Sequence, residues 1–170
     1  EDLTRAYIQC RRQLPEIMDF LINHVPGFEN SYLLKSAAQI GVRETRHFKG
    51  LYTLTEEDIL SARVFEDWAV TKAHFNFDVH NITGAGLDET GCQQKFSQKD
   101  GYTIPYGCFV PEKIDGLLLA GRNISGTHMA HSNYRAMPIC ANMGQSMGVA
   151  AAICARDSIL PRKLNVKTLQ

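Results

Sequence analysis

His128 and His131 stand three residues apart, a spacing that would let two imidazoles reach one metal ion from a single helical face. His80 and Asp78 are of the right types to complete such a set. No spacing along the chain fixes the distance between the two segments, so no metal is assigned. Histidine also changes charge near neutral pH, which makes His128 and His80 the side chains best suited to orient a reacting group or to move its proton. A lone histidine more often serves as a hydrogen-bonding structural residue, and that reading stands beside the catalytic one. The five cysteines, Cys10, Cys92, Cys108, Cys140 and Cys154, are scattered and odd in number, with no CxxC pair. They argue against a disulfide framework and against a cysteine zinc site, and for a reducing compartment such as the cytoplasm.

The elements that would position these groups are clearest in the last third. Gly116-Leu-Leu-Leu-Ala-Gly121 is a short apolar run between glycines, the pattern of a strand buried on both faces. A loop of glycines and small polar residues follows to Thr127, and a helix is predicted from about Pro138 to Arg156, with Pro138 suited to its first turn. Strand, glycine turn and helix N-terminus in succession form an arrangement that binds ligands at the carboxyl end of the strand. Inside the helix, Gly144, Gly148 and Ala152 recur every four residues. Glycine within a helix costs about 1 kcal/mol relative to alanine, so the small face is read as a place of close approach. Tight packing on a sheet, a cofactor beside the helix and a membrane dimer face would each explain it. Asn142 and Gln145 in so short a span argue against the membrane.

Earlier in the chain, Leu3, Tyr7, Cys10, Leu14, Ile17 and Leu21 step by four and three residues and predict an amphipathic helix. Pro15 is expected to kink that helix or divide it, and Pro26-Gly27 to end it. Strand-like runs are expected over 46–54 and 65–77. Between them Thr55-Glu-Glu-Asp58 reads as an N-cap with an acidic first turn opening a short helix. Residues 83–101 read as a polar loop, and Tyr102–Tyr106 and Cys108–Val110 as extended pieces. The composition, 44% hydrophobic and 21% charged with 18 basic and 18 acidic side chains, is that of one ordinary soluble domain. Its neutral balance supplies no global field to draw in nucleic acid or an anionic membrane. Glu1-Asp2 opens the chain without an initiator Met or a leader, which suggests a fragment or processed piece.

Several stretches resemble a family of FAD-dependent oxidoreductases with a glutathione-reductase-like FAD domain. They are Gly41–Arg46 with Gly50–Thr55, Phe77–His80, Ile104–Tyr106 with Val110-Pro111, Asp115–Ser125, Thr127-His128, and Arg135–Pro138 leading into Met143–Ala151. Together they span most of 38–155, and residues 1–36 match loosely as a helical part of a substrate region. The resemblance implies a mixed fold, α/β overall and α+β as a fragment. Residues 37–111 would form a mostly antiparallel substrate or cap region, and 112–170 would complete the FAD-binding domain with a strand, a loop and a helix. In that family a GxGxxG loop near the N-terminus holds the pyrophosphate. This chain has none, and Gly84-Ala-Gly86 is the nearest imitation. The resemblance therefore implies a missing N-terminal half or a partner chain, together with a small-molecule substrate.

By the same resemblance, Gly121 lets the backbone approach FAD, within a cofactor-facing loop of Gly121, Arg122, Asn123, Ile124 and Ser125. Arg122 would pair with a phosphate or with an acidic residue. The helix start, from Pro138 through Ile139, Cys140, Ala141 and Asn142, would aim N–H groups and a positive dipole end at the flavin N1/C2 region. Arg135 would bind an anionic group of the substrate or deliver a proton, with His128 and His80 as acid–base or orienting groups. Arg43 and Arg46 would flank Glu44 in a salt-bridge network, and Tyr102 and Tyr106 would line a pocket or sit in the core or at its rim. The implied reaction is hydride transfer between a substrate and flavin N5. The alternative is a cofactor-free interaction or regulatory subunit built on a divided flavoprotein fold.

Overall fold

The computed structural model describes residues 2–79 and 101–170. His80, the Gly84-Ala-Gly86 stretch and nearly all of the expected 83–101 loop lie outside them. Within the described residues the protein is a mixed α/β structure, with helices and one small antiparallel sheet. It divides into two units, residues 1–43 and 44–170.

The first unit is built on α1 (Asp2–His24), the helix that the apolar spacing predicts. Pro15 lies inside it, and the helix runs on as one element rather than two. A proline removes one main-chain donor, and the neighbouring turns carry the helix past the gap. Asp2 in the first turn and His24 in the last suit the helix dipole. The chain leaves through Gly27, whose φ of +92° calls for glycine, and its N–H donates to the Glu29 carboxylate at 3.0 Å. The returning segment lies along the helix. Tyr7 donates to the Ala38 carbonyl at 3.4 Å, and Arg11 donates to the Ala37 carbonyl at 2.9 Å and to the Ser36 hydroxyl. No residue of α1 is fully buried, and Leu3, Ile17 and Phe20 are exposed.

The second unit holds the core. β1 (Trp68–Ala73) and β2 (Tyr102–Pro105) pair antiparallel, with Trp68 opposite Pro105, Val70 opposite Ile104 and Ala73 opposite Tyr102. The ladder is irregular between Val70 and Ala73, where Lys72 takes a φ of +53°. Gly101 faces this bulge. A Cβ there would lie 2.9 Å from the Lys72 backbone, so only glycine fits. Every residue of β2 is buried.

α2 (Glu56–Leu60) begins where Thr55 was expected to cap it, and the cap is reciprocal. The Thr55 hydroxyl accepts from the Asp58 N–H at 3.3 Å, and the Thr55 N–H donates to Asp58 Oδ2 at 3.1 Å. α3 (His128–Tyr134) opens on a second threonine cap, Thr127, which accepts from the Ala130 N–H at 3.1 Å. α4 (Met137–Asp157) covers the predicted 138–156 span with Pro138 in its first turn, and it ends at Ser158 in a left-handed conformation. Its Ile139, Met143, Met147, Ala150 and Cys154, spaced by four, four, three and four, form the face turned to the core. Ser146 donates to the Ala69 carbonyl at 2.6 Å, which fixes the helix to β1. No helix among the described residues is long and apolar enough to cross a membrane.

Four expectations are corrected. Tyr106–Phe109 winds into a short 3-10 helix where extended chain was expected. Residues 46–54 form no strand; they are held by isolated bridges, Gly50 to Pro111 and Leu54 to Gly126. Gly116–Gly121 is not a strand buried on both faces. It is exposed at Gly116 and Leu117 and half-buried from Leu118 to Gly121, tied by the Leu119 N–H to the Phe109 carbonyl at 3.0 Å. An apolar run becomes a central strand only where strands flank it, and no strand among the described residues lies on either side. The small face of α4 is open rather than closely packed, because a Cβ built at Gly144 or Gly148 meets nothing within 4 Å.

Candidate functional site

Tyr134, completely buried at the end of α3, joins the loop after Gly121 to the start of α4. Its hydroxyl donates to the Ile124 carbonyl at 3.2 Å, and its own carbonyl accepts from the Cys140 thiol at 3.7 Å. The Arg122 guanidinium is close enough to act on Cys140. Burial raises that thiol above its ordinary value, and Arg122 opposes the rise. A packed tyrosine side chain thus links Ile124 of the expected cofactor loop to the start of α4.

The ten residues expected there differ in what they can offer. Gly121 is half-buried with a φ of +98°, a conformation for glycine, and a Cβ on it would meet only Asn123 Oδ1 at 3.9 Å. Arg122 is exposed. The Asn123 carbonyl accepts from the Phe48 N–H at 3.3 Å. Ile124 and Ser125 are core residues. Ser125 donates through its N–H to the Cys108 carbonyl, accepts at its carbonyl from the Leu54 N–H, and shares a 3.0 Å hydroxyl bond with Thr53. At the helix start Pro138, Ala141 and Asn142 are exposed, Cys140 is half-buried and Ile139 joins the core. No side chain caps this helix at Ala136; Pro138 has no N–H and the Cys140 N–H is taken by the Ala136 carbonyl at 2.9 Å, so neither offers a free donor.

Arg135, the C-cap of α3, is largely buried and bound to Asp78, donating from Nη2 to the Asp78 Oδ2 at 2.6 Å and to its carbonyl at 3.0 Å. The Asp78 carboxylate is thereby held by an arginine and does not join His128 and His131 in a ligand set. Tyr102 and Tyr106 are core residues. Tyr102 donates to Asn133 Oδ1 at 2.7 Å, and Tyr106 donates to the Pro161 carbonyl at 3.1 Å.

Glu44 is the acidic residue that meets the histidines. Its Oε2 pairs with His128 Nδ1 at 2.6 Å, and its Oε1 lies 3.2 Å from His47 Nε2 and 3.7 Å from His131 Nδ1. The His47 and His131 rings are 4.8 Å apart, and His131 packs edge-on against Tyr134 at 5.5 Å. Burial drives His131 well below the ordinary histidine value; Glu44 pulls the other way, while His47, Arg135 and His128 add to the fall. His128 remains more than half exposed, with its imidazole oriented by a carboxylate. The sequence placed Glu44 in a network with Arg43 and Arg46 and passed over His47; in the structure Glu44 pairs with His47, His128 and His131. A second pair three residues apart, Glu44 and His47, mirrors His128 and His131, but the pairs are 84 residues distant and nothing local joins them.

Comparison with known proteins gives one match. A family model described as FAD dependent oxidoreductase covers residues 1–170. Neither the curated proteins nor the solved structures yield a match. With its full length matched, the chain belongs to the FAD dependent oxidoreductase family.

Proposed function

We propose that this chain is the C-terminal part of an FAD-dependent oxidoreductase and forms the flavin-facing side of its active site. FAD, when bound, supplies hydride transfer between a small-molecule substrate and its N5 position. The observation that carries this reading is that Tyr134 ties Ile124 of the 121–125 loop to Cys140 in the first turn of α4, which no side chain caps. The residues there fit the cofactor. The turn has open backbone at Gly121, the α4 start has no side-chain cap at the positive end of its helix dipole, and Gly144 and Gly148 leave a bare helix face. Gly121 and Arg122 would hold one side of FAD, and the first turn from Pro138 to Asn142 the other. Asn123, Ile124 and Ser125 would shape the loop from behind.

His128, oriented by Glu44, is assigned the acid–base or orienting role toward the substrate, and His80 is assigned the same kind of role. Arg135 is assigned anion binding or proton delivery, with Asp78 fixing its guanidinium. The pyrophosphate would be held by an N-terminal half or a partner chain, since no GxGxxG is present. Cytoplasmic residence accords with the unpaired thiols of Cys10, Cys108, Cys140 and Cys154.

The test is made on the complete gene product. Flavin absorbance near ~450 nm, with nucleotide released on denaturation, is expected. Arg135→Gln is expected to lower turnover far more than FAD content. Colourless protein, even with its partner present, would favour the cofactor-free subunit instead, and equal loss of turnover and FAD in Arg135→Gln would make that residue scaffold.

A further inference from the structure

We infer that Glu44, His47 and His131 form a binding site for a divalent transition-metal ion of the zinc class. One donor atom from each of the three lies within 4.8 Å of the others. Zinc bonds of about 2.0–2.1 Å in tetrahedral geometry place neighbouring ligand atoms about 3.3 Å apart. Glu44 Oε1 stands 3.2 Å from His47 Nε2 and 3.7 Å from His131 Nδ1, on either side of that spacing.

Hydrogen bonding within the cluster leaves His47 Nε2 unserved. His47 Nδ1 is 3.0 Å from the Gly126 carbonyl, which can only accept, so this nitrogen carries a hydrogen and donates. His47 Nε2 is left to face a carboxylate oxygen, and it is buried without a hydrogen-bond partner among the described residues. The His131 side chain is 3% exposed; its Nε2 likewise has no partner, and its Nδ1 is beyond hydrogen-bond distance of Glu44. A proton on His47 would serve one of these contacts and leave His131 as it is. A divalent cation held by Glu44 Oε1, His47 Nε2 and His131 Nδ1 would serve the three atoms that face one another, with His131 Nε2 left as it is.

The surroundings are those of a ligand set. A metal-binding histidine characteristically donates its other ring N–H to a carbonyl or carboxylate, as His47 does to Gly126. The ligating carboxylate is itself hydrogen-bonded, through Glu44 Oε2 to His128 Nδ1. Two imidazoles and one carboxylate are a donor set for zinc with a fourth position left for water.

The experiment uses the complete gene product, stripped with chelator and dialysed against Zn2+, with metal counted by elemental analysis. Co2+ is used in parallel as a spectroscopic reporter. The native protein is expected to take up one Zn2+ per chain, and bound Co2+ to show the intense visible bands of four-coordinate geometry. Glu44→Gln, which preserves the shape of the side chain, and His47→Ala are each expected to weaken Zn2+ binding by at least about 100-fold, on the scale of ligand and ligand-support losses. Native protein that takes up no metal, or Zn2+ uptake undiminished by both substitutions, would overturn the site. Should a variant fail to fold, the Co2+ spectrum of the native protein decides, because a six-coordinate spectrum excludes the assigned donor set. Flavin content is not among the readouts, so the result is independent of the proposed reaction.

Discussion

Gly126→Ala tests whether Tyr134 is the fixed post that joins the loop to α4. Gly126 has no positive φ, so alanine there carries no backbone strain of its own, and the effect is purely steric. The new Cβ would lie 2.5 Å from Tyr134 Cε1 and 2.8 Å from its hydroxyl oxygen. The ring has little room to move, being completely buried, bonded through its hydroxyl to Ile124 and packed against the His131 ring. Overpacking of this kind costs about 1–3 kcal/mol, and displacing the hydroxyl from the Ile124 carbonyl adds about 0.5–1.5 kcal/mol. A total of about 1.5–4.5 kcal/mol would lower the melting temperature by about 3–18 °C in a chain of this size. Urea unfolding, followed by far-ultraviolet circular dichroism, measures the cost directly. The control is the same substitution in a Tyr134→Leu background, where the clashing ring atoms are gone and the added penalty should fall below about 1 kcal/mol. Equal penalties in the two backgrounds would refute the account, as would a Gly126→Ala protein as stable as the parent.

Two further outcomes follow from titratable groups of the second unit. At Asp58 burial works to raise the carboxyl, but the Thr55 N–H, Arg63, Tyr52 and the Thr55 hydroxyl together hold it below its ordinary value. A carboxyl whose folded value is lowered stabilises the protein above its unfolded value, and that contribution is lost as the pH falls through the folded one. The unfolding midpoint of the parent should therefore fall below about pH 4 more steeply than that of Asp58→Asn, which starts lower at neutral pH; parallel curves would contradict the assignment. Burial also pushes the Cys108 thiol far up, whereas Cys10 is exposed. A thiol reagent at pH 8 should label Cys10 in the folded protein and reach Cys108 only on unfolding, as peptide mapping would reveal.

What the sequence made legible was local. Pro138 opening α4, Thr55 capping α2 and the four-and-three spacing of α1 are signals written within a turn or two, and each element forms where its signal lies. The Gly116–Gly121 run misled because a buried strand is defined by its neighbours, and its own residues carry only half of that information. Residues 46–54 misled for a related reason. Their β-rich composition is satisfied by single bridges to Pro111 and Gly126 rather than by a ladder. The tie between Ile124 and the start of α4 through the Tyr134 hydroxyl and carbonyl was not legible, because no local pattern marks it. The Glu44 cluster was beyond reach because two unremarkable pairs become a site only when the fold closes the distance between them.

The bare face of α4 carries a consequence for how this protein tolerates change. Alanine at Gly144 or Gly148 meets no atom within 4 Å and removes the roughly 1 kcal/mol that a helical glycine costs, so folding by itself favours replacing both. Selection that acted only on foldedness would erode these glycines. A saturation library sorted first for solubility and then for turnover of the whole enzyme would separate the two pressures. Positions permissive in the first sort and forbidden in the second would draw, residue by residue, the silhouette of whatever rests against the helix.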